Sequence, residues 1–294
     1  MSIKDNILYG PPLTGVPNVS MGQYLFDNLR TTGDNIIQID VQTNKHFTCK
    51  YVLEKSIILS NFLRNYGINI EDRISIASEN HPSYIILMCS TLFVGGTFAP
   101  LNPSYTEREY RHMLEIFQPR LLFVTQRTEK LLAKIASSVN WSMKLIELDD
   151  EALDENVLTL KEILGKYENV ADPSMFVPTQ IDDTRNTVTA IMCSSGTTGF
   201  PKGVMLSHRN MLTFIHSSRG PNVLDTRLGD RVLLVLPMFH GYAFGIMNIA
   251  ICSGTAMVIL RSFDFEIFLE SVEKYRITHL PVVPPILVAL SKHP

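Results

Sequence analysis

The sequence predicts an α/β fold of two packed, mostly parallel sheets flanked by helices. Three observations lead there. From residue 73 onward, short apolar runs alternate with helical patterns. The runs are near-continuously apolar, as strands covered on both faces are. The same alternation starts again at residue 187, after a connector rich in proline and aspartate. Two such blocks, roughly 20–168 and 187–294, are expected to form layered sub-sheets of one body.

The elements follow in order. Arg73 to Ala77 (RISIA) reads as a strand. Tyr84 to Val94 is an apolar helix entered after Pro82 and ended by Gly95-Gly96. Thr97 to Pro100 is a short strand. Thr106 to Phe117 is amphipathic, with Tyr110, Met113, Leu114 and Phe117 on one face. Thr106 with Glu109 three residues on forms a capping-box pattern. Leu121 to Thr125 is the next strand. Residues 147–155 (ELDDEALDE) read as a solvated acidic connector, because runs of one charge sign face water. Residues 169–186 read as a second connector.

In the second block Thr187 to Cys193 is a strand that runs directly into a Gly-rich loop. Val204 to Leu206 is a short strand, and Ser207 caps a helix to about Ser218. Val232 to Leu236 is a strand ending at Pro237. Residues 241–260 carry no charge over a length that could cross a bilayer. Ser253-Gly254 divides them into a helix and a short β-branched run. Phe263 to Tyr275 is a helix, His279 to Val283 a strand, and Pro284-Pro285 opens a last helix.

Composition narrows the function classes. The 294 residues are 45% hydrophobic and 19% charged, with net charge −3. That balance gives no electrostatic footprint for nucleic acid. The N-terminal residues have no apolar core behind a basic patch, so no secretory signal is expected. Cys49, Cys89, Cys193 and Cys252 show no CxxC spacing, and they read as free thiols in a reducing, intracellular compartment. His208 and His216 have no third ligand nearby and do not suggest zinc. No metal-ligating residue is assigned.

Ser194 to Gly203 holds two serines, two threonines, three glycines and one lysine. Glycines let the backbone approach a ligand, and their N–H groups converge on anions. Hydroxyls add neutral donors, and Lys202 adds a positive charge on a long arm. This is chemistry for a polyphosphate. The Walker pattern G-x-x-x-x-G-K-[ST] places a lysine at the same offset from Gly196. Pro201 stands where its second Gly belongs, however, and Gly203 replaces its Ser/Thr. A strand is also expected to follow this loop, where a P-loop opens into a helix. The segment is therefore read as a flap over phosphates. No G-x-S-x-G elbow is present, which counts against an α/β-hydrolase. His240 sits just past a strand's carboxyl end and before a helix, where either ligand contact or helix capping would suit it.

The segment SSGTTGFPKGVMLSHRN resembles the signature of the adenylate-forming (AMP-binding) superfamily of acyl-CoA synthetases, 4-coumarate–CoA ligases and beetle luciferases. GGTFAPLNPSYTEREY and VLPMFHGYAFG are similar to two further segments of that family. The resemblance implies ATP-dependent activation of a small-molecule carboxylic acid to an acyl-adenylate, then transfer to coenzyme A, with Mg²⁺ accompanying ATP. It implies that Ser194, Ser195, Gly196, Thr197, Thr198, Gly199 and Lys202 bind the ATP phosphates, with Lys202 and His240 catalytic. His240 and Tyr242 would line the acyl pocket. A basic residue that meets coenzyme A in many relatives falls at Ser262 here, with Arg261 just before it. Family members carry Tyr-Gly-x-Thr-Glu and Thr-Gly-Asp motifs and a small C-terminal domain that this sequence lacks. The resemblance thus implies a truncated N-terminal domain, impaired in the full reaction. Peroxisome and cytosol are the locations implied, and no Ser-Lys-Leu ending is present. A luciferase-like monooxygenase, a non-catalytic nucleotide- or acyl-binding remnant and a P-loop NTPase are the alternatives.

Overall fold

The computed structural model describes residues 2–4, 6–9, 15–168, 173–194, 199–219 and 224–292. A small antiparallel hairpin, β1 (Ser2–Lys4) and β2 (Ile7–Tyr9), opens the chain. Next come α1 (Met21–Thr32), β3 (Ile36–Asp40), β4 (Lys45–Thr48) and α2 (Cys49–Asn65). The alternating stretch then gives β5 (Arg73–Ala77), α3 (Ser83–Phe93), β6 (Thr97–Leu101), α4 (Glu107–Phe117) and β7 (Leu121–Val124). It continues through α5 (Gln126–Ala136), β8 (Lys144–Glu147), β9 (Leu158–Thr159) and α6 (Leu160–Tyr167). The second block supplies β10 (Val188–Ser194), β11 (Lys202–Ser207), α7 (His208–Ser218), β12 (Arg231–Leu234) and α8 (Gly241–Ser253). It ends with β13 (Ala256–Ile259), α9 (Phe265–Lys274) and α10 (Pro284–Lys292).

Two largely parallel sheets result. The larger runs β11-β10-β6-β5-β7-β8-β9, and the smaller β12-β13-β3-β4. Antiparallel pairing in them is confined to the edge pairs β10–β11 and β3–β4. The sheets do not follow the two sequence blocks. β10 and β11 join the strands of the first block, while β3 crosses to lie beside β13.

Period-two alternation explains the layering. Leu121 and Phe123 of β7, and Val232 and Leu234 of β12, face one shared core. Leu122 and Val124 turn to the outer face covered by α4 and α5. Leu233 and Val258 turn to the opposite outer face, under Phe268 of α9 and Ile286 of α10. Between the sheets lies α3, buried from Tyr84 to Phe93, as a helix apolar all round must be. α1, α2 and α8 share that middle layer.

Local signals placed several termini. Thr106 and Glu109 form the expected capping box on α4, and Ser207 caps α7 through the Asn210 N–H. α8 ends at Gly254, whose φ of 70° suits a glycine C-cap, and β13 follows. Among the described residues no helix is long and apolar enough to cross a membrane.

Two expectations are corrected. The strand expected at His279 to Val283 reduces to one bridge between Val232 and His279. Pro281 has no N–H to give a ladder. The acidic run at 147–155 is not all solvated connector. Glu147 is buried at the end of β8, with its carboxylate taking the N–H groups of Leu148 (2.8 Å) and Asp149 (2.9 Å).

Candidate functional site

Strands β10, β6 and β5 run parallel, so Ser194 lies at the same carboxyl end as Leu101 and Ala77. That end of an open α/β sheet is where ligands bind. The chain returns as β11, an antiparallel neighbour in which Ser194 faces Lys202. The sequence-predicted loop is thus the turn of a hairpin, followed by a strand as expected and not by the helix a P-loop requires. Lys202 stands at the hairpin's root, exposed, rather than at its tip. Ser195, Gly196, Thr197 and Thr198 lie outside the described residues. Gly199 has φ of 123°, a region open to glycine and strained for other residues.

The hairpin root rests on α4. Gly203 allows this, because a Cβ there would sit 3.0 Å from Ile191 Cγ2 and 3.2 Å from Phe117 Cε1. Phe200, 36% exposed, is gripped from the same helix. The His112 ring lies 4.7 Å from it, and the Arg108 guanidinium stands 4.7 Å above its centroid. His112 Nε2 donates to the Pro201 carbonyl at 3.1 Å. Arg108 and His112 are four residues apart, so they share one face of the helix.

His240 follows β12 in the smaller sheet and caps α8. Its Nδ1 accepts the Tyr242 N–H at 3.2 Å, and its own N–H donates to Pro237 O at 2.9 Å. An accepting Nδ1 puts the ring proton on Nε2, which projects from an exposed residue. The two readings of His240 are therefore compatible: one nitrogen caps the helix while the other stays available. Tyr242, 48% exposed, lines a cavity of about 310 Å³ with Ile246, Ile249, Val232 and Leu280. Those walls are apolar.

Asn80, 4% exposed, joins the two carboxyl ends. Its Nδ2 donates to Leu236 O (3.1 Å) and Leu260 O (2.9 Å), and its Oδ1 accepts the Met238 N–H (2.8 Å). Leu236 and Met238 follow β12, and Leu260 follows β13. Beside Asn80 opens a cleft of about 500 Å³, lined among others by Asn102, Phe239, Arg261, Phe263 and Ile286.

Arg261, at one of the two positions where a basic contact would fall, turns back to the buried carboxylate of Asp40, 3.4 Å away. Burial, and then the nearby Arg261 charge, hold the His81 imidazole below its usual range. His208 is buried and neutral, its Nδ1 accepting the Met21 N–H at 3.0 Å. It is a core group rather than a ligand. The four cysteines are free thiols, and burial pushes Cys193, next to the loop, up to about 11. Among the described residues no group of three His, Cys, Asp or Glu side chains could hold a metal ion. They offer no carboxylate set that fits Mg²⁺, which would have to enter with a nucleotide.

The loop and His240 therefore stand at the carboxyl ends of two different sheets, with Asn80 tying those ends together. Sequence reasoning missed Asn80, Arg108 and His112. The i, i+4 spacing of Arg108 and His112 opposite the apolar stripe of α4 was a usable signal. Asn80 had none, since its partners lie 156 to 180 residues away.

Comparison with known proteins gives a consistent picture. The family model for AMP-binding enzymes matches residues 25–294. A luciferin 4-monooxygenase of Nipponoluciola cruciata is 30% identical over 99% of this chain and 54% of its own length. A 4-coumarate–CoA ligase-like protein 9 of Arabidopsis thaliana is 32% identical over 96% of this chain and 46% of its own. Among solved structures, a natural red-emitting luciferase of Phrixothrix hirtus superposes with a TM-score of 0.87 at 28% identity. That match covers 94% of this chain and 53% of the luciferase. The chain thus spans about half the length of the curated relatives it matches.

Proposed function

Because the chain belongs to the family of AMP-binding enzymes, we propose that it serves the ATP-dependent activation of a carboxylic acid to an acyl-adenylate, followed by transfer to the thiol of coenzyme A. In the first step a carboxylate oxygen bonds to the α-phosphorus of ATP, and the bond from that phosphorus to pyrophosphate breaks. In the second, the thiol sulfur bonds to the acyl carbon and AMP leaves.

The observation that carries this reading is the β10–β11 hairpin, which sets Lys202 against Ser194 at the carboxyl end of parallel strands. In the proposed site the Lys202 ammonium and the loop's N–H and hydroxyl donors stabilise negative charge moving onto the leaving pyrophosphate. His240, with its proton on Nε2, donates to the acid's carboxylate and orients it towards phosphorus. The apolar wall beside Tyr242 receives the rest of the acid. Mg²⁺, held by the nucleotide's phosphates, supplies charge neutralisation.

Acid-dependent exchange of labelled pyrophosphate into ATP tests the first step, and thioester formation from added coenzyme A tests the second. Lys202→Ala should slow exchange by roughly 100- to 1,000-fold, while acid affinity changes about two-fold or less. An unchanged exchange rate in that variant would remove the loop from the chemistry.

A further inference from the structure

We propose that Asn80 is a positioning residue for His240: its carboxamide fixes the strand-end segment from which the imidazole projects, and so sets where Nε2 meets the acid. Its effect on activity rests on the adenylation reading above.

A buried primary amide has two N–H donors and a carbonyl acceptor. In Asn80 each donor and the carbonyl find a backbone partner across the sheet boundary, at 2.9 Å, 3.1 Å and 2.8 Å. These partners are the strand-end groups of β12 and β13 that a sheet ladder no longer reaches. Leu236 O and Met238 N flank Pro237, whose carbonyl takes the His240 N–H at 2.9 Å. The path from Asn80 to the imidazole is thus one hydrogen-bonded turn, Leu236 to His240. The Tyr242 N–H to Nδ1 contact then fixes the ring. On the other side, Leu260 precedes Arg261, which lines the 500 Å³ cleft with Asn80 itself. Asn80 therefore holds the turn bearing His240 and the wall bearing Arg261 at one mutual spacing.

No other common side chain of that size offers two donors and one acceptor in this geometry. Aspartate would face two carbonyl oxygens with a carboxylate. Serine could satisfy two of the three partners, and alanine none. The effect should be graded accordingly and should fall on the acid side of the reaction, because Asn80 touches no residue of the β10–β11 hairpin in any of these bonds.

The experiment uses the full chain with Asn80→Ser, Asn80→Asp and Asn80→Ala. Two quantities are read: the ¹⁵N shifts of the His240 imidazole, and the acid-dependent exchange rate beside the ATP dissociation constant. The expected result is displaced Nδ1 and Nε2 resonances in all three variants, smallest for N80S. The exchange rate should fall roughly 100-fold in N80A, with ATP affinity within about two-fold. If N80A does not fold, N80S and N80D carry the comparison. Wild-type His240 resonances in folded N80D or N80A would overturn the proposal. So would an equal loss of ATP affinity and exchange rate. If the wild-type chain shows no acid-dependent exchange, the adenylation reading fails, and the imidazole resonances alone decide the role of Asn80.

Discussion

The His112 ring closes on Phe200, with centroids 4.7 Å apart and planes tilted by 31°. The same imidazole holds the Pro201 carbonyl, so α4 grips the residues immediately before Lys202. Arg108 completes the grip from the ring's face. A hairpin root fixed in this way lowers the entropy lost when the loop closes on phosphates.

Phe200→Ala and His112→Ala should therefore weaken ATP binding, by roughly 3- to 10-fold, with little change in folding stability. Isothermal titration with ATP checks this. An aromatic pair at a half-exposed site contributes about 0.5–1.5 kcal/mol, which limits the size of the effect. Phe200→Tyr, which keeps the ring, should bind ATP like the wild type.

The two nitrogens of His240 make its two roles separable. His240→Asn keeps a side-chain acceptor for the helix N-terminus, whereas His240→Ala removes it. Loss of an N-cap costs about 1 kcal/mol. H240A should thus lower the urea midpoint relative to H240N. Both should lose acid-dependent exchange to a similar extent, because neither presents a donor where Nε2 stands. If H240N exchanged pyrophosphate at the wild-type rate, His240 would be a helix cap alone.

Gly203 is constrained by what lies beneath it. A methyl group there meets Ile191 and Phe117, neither of which is free to withdraw, since Phe117 is fully buried. Gly203→Ala should push β11 away from α4 and destabilise the fold by about 1–3 kcal/mol. The same displacement should weaken ATP binding. Thermal unfolding and the ATP titration, run on the same sample, would report both.

How much of this was legible in the sequence depended on the range of the interactions involved. The capping boxes of α4 and α7 close within three residues, and their hydroxyl–carboxylate and hydroxyl–amide spacing is visible in the chain itself. The all-apolar α3 announced its own burial. Sheet membership did not show in this way: Ala190 pairs with Phe98, and Met257 with Gln38, through backbone groups that every residue carries. The exchange of strands between the two blocks was invisible for that reason. The strand expected at His279 to Val283 failed because apolar periodicity outvoted Pro281, although the missing N–H was plain in the sequence. In the site, Lys202 and His240 stood out by residue type beside glycine and proline. Asn80 is an ordinary asparagine until its three distant backbone partners are known.

Buried ionisable groups give the last prediction. His208 is buried, and burial lowers its folded pKa to about 4, against about 6.5 unfolded. Between those values the unfolded chain binds more protons, so stability rises with pH through this window and falls as acid is added. Glu147 behaves oppositely. Burial, opposed by the Asp149 N–H and reinforced by the neighbouring Glu129 carboxyl, raises it to about 8. The folded chain then binds more protons between about 4.5 and 8, so stability is lost as pH rises through that range. A tenfold difference in proton affinity between the folded and unfolded chain is worth about 1.4 kcal/mol. The contribution is then on the order of 3 kcal/mol for His208 and on the order of 4 kcal/mol for Glu147. From about 4.5 to 6.5 the two slopes oppose one another. Urea midpoints measured across the acid-to-alkaline range should therefore show a plateau there and a decline above it. Glu147→Gln keeps a carbonyl acceptor for the Leu148 and Asp149 N–H groups and cannot ionise. It should abolish the alkaline decline and leave the acid limb in place. If the decline above about pH 6.5 persisted in that variant, it would have to come from another group.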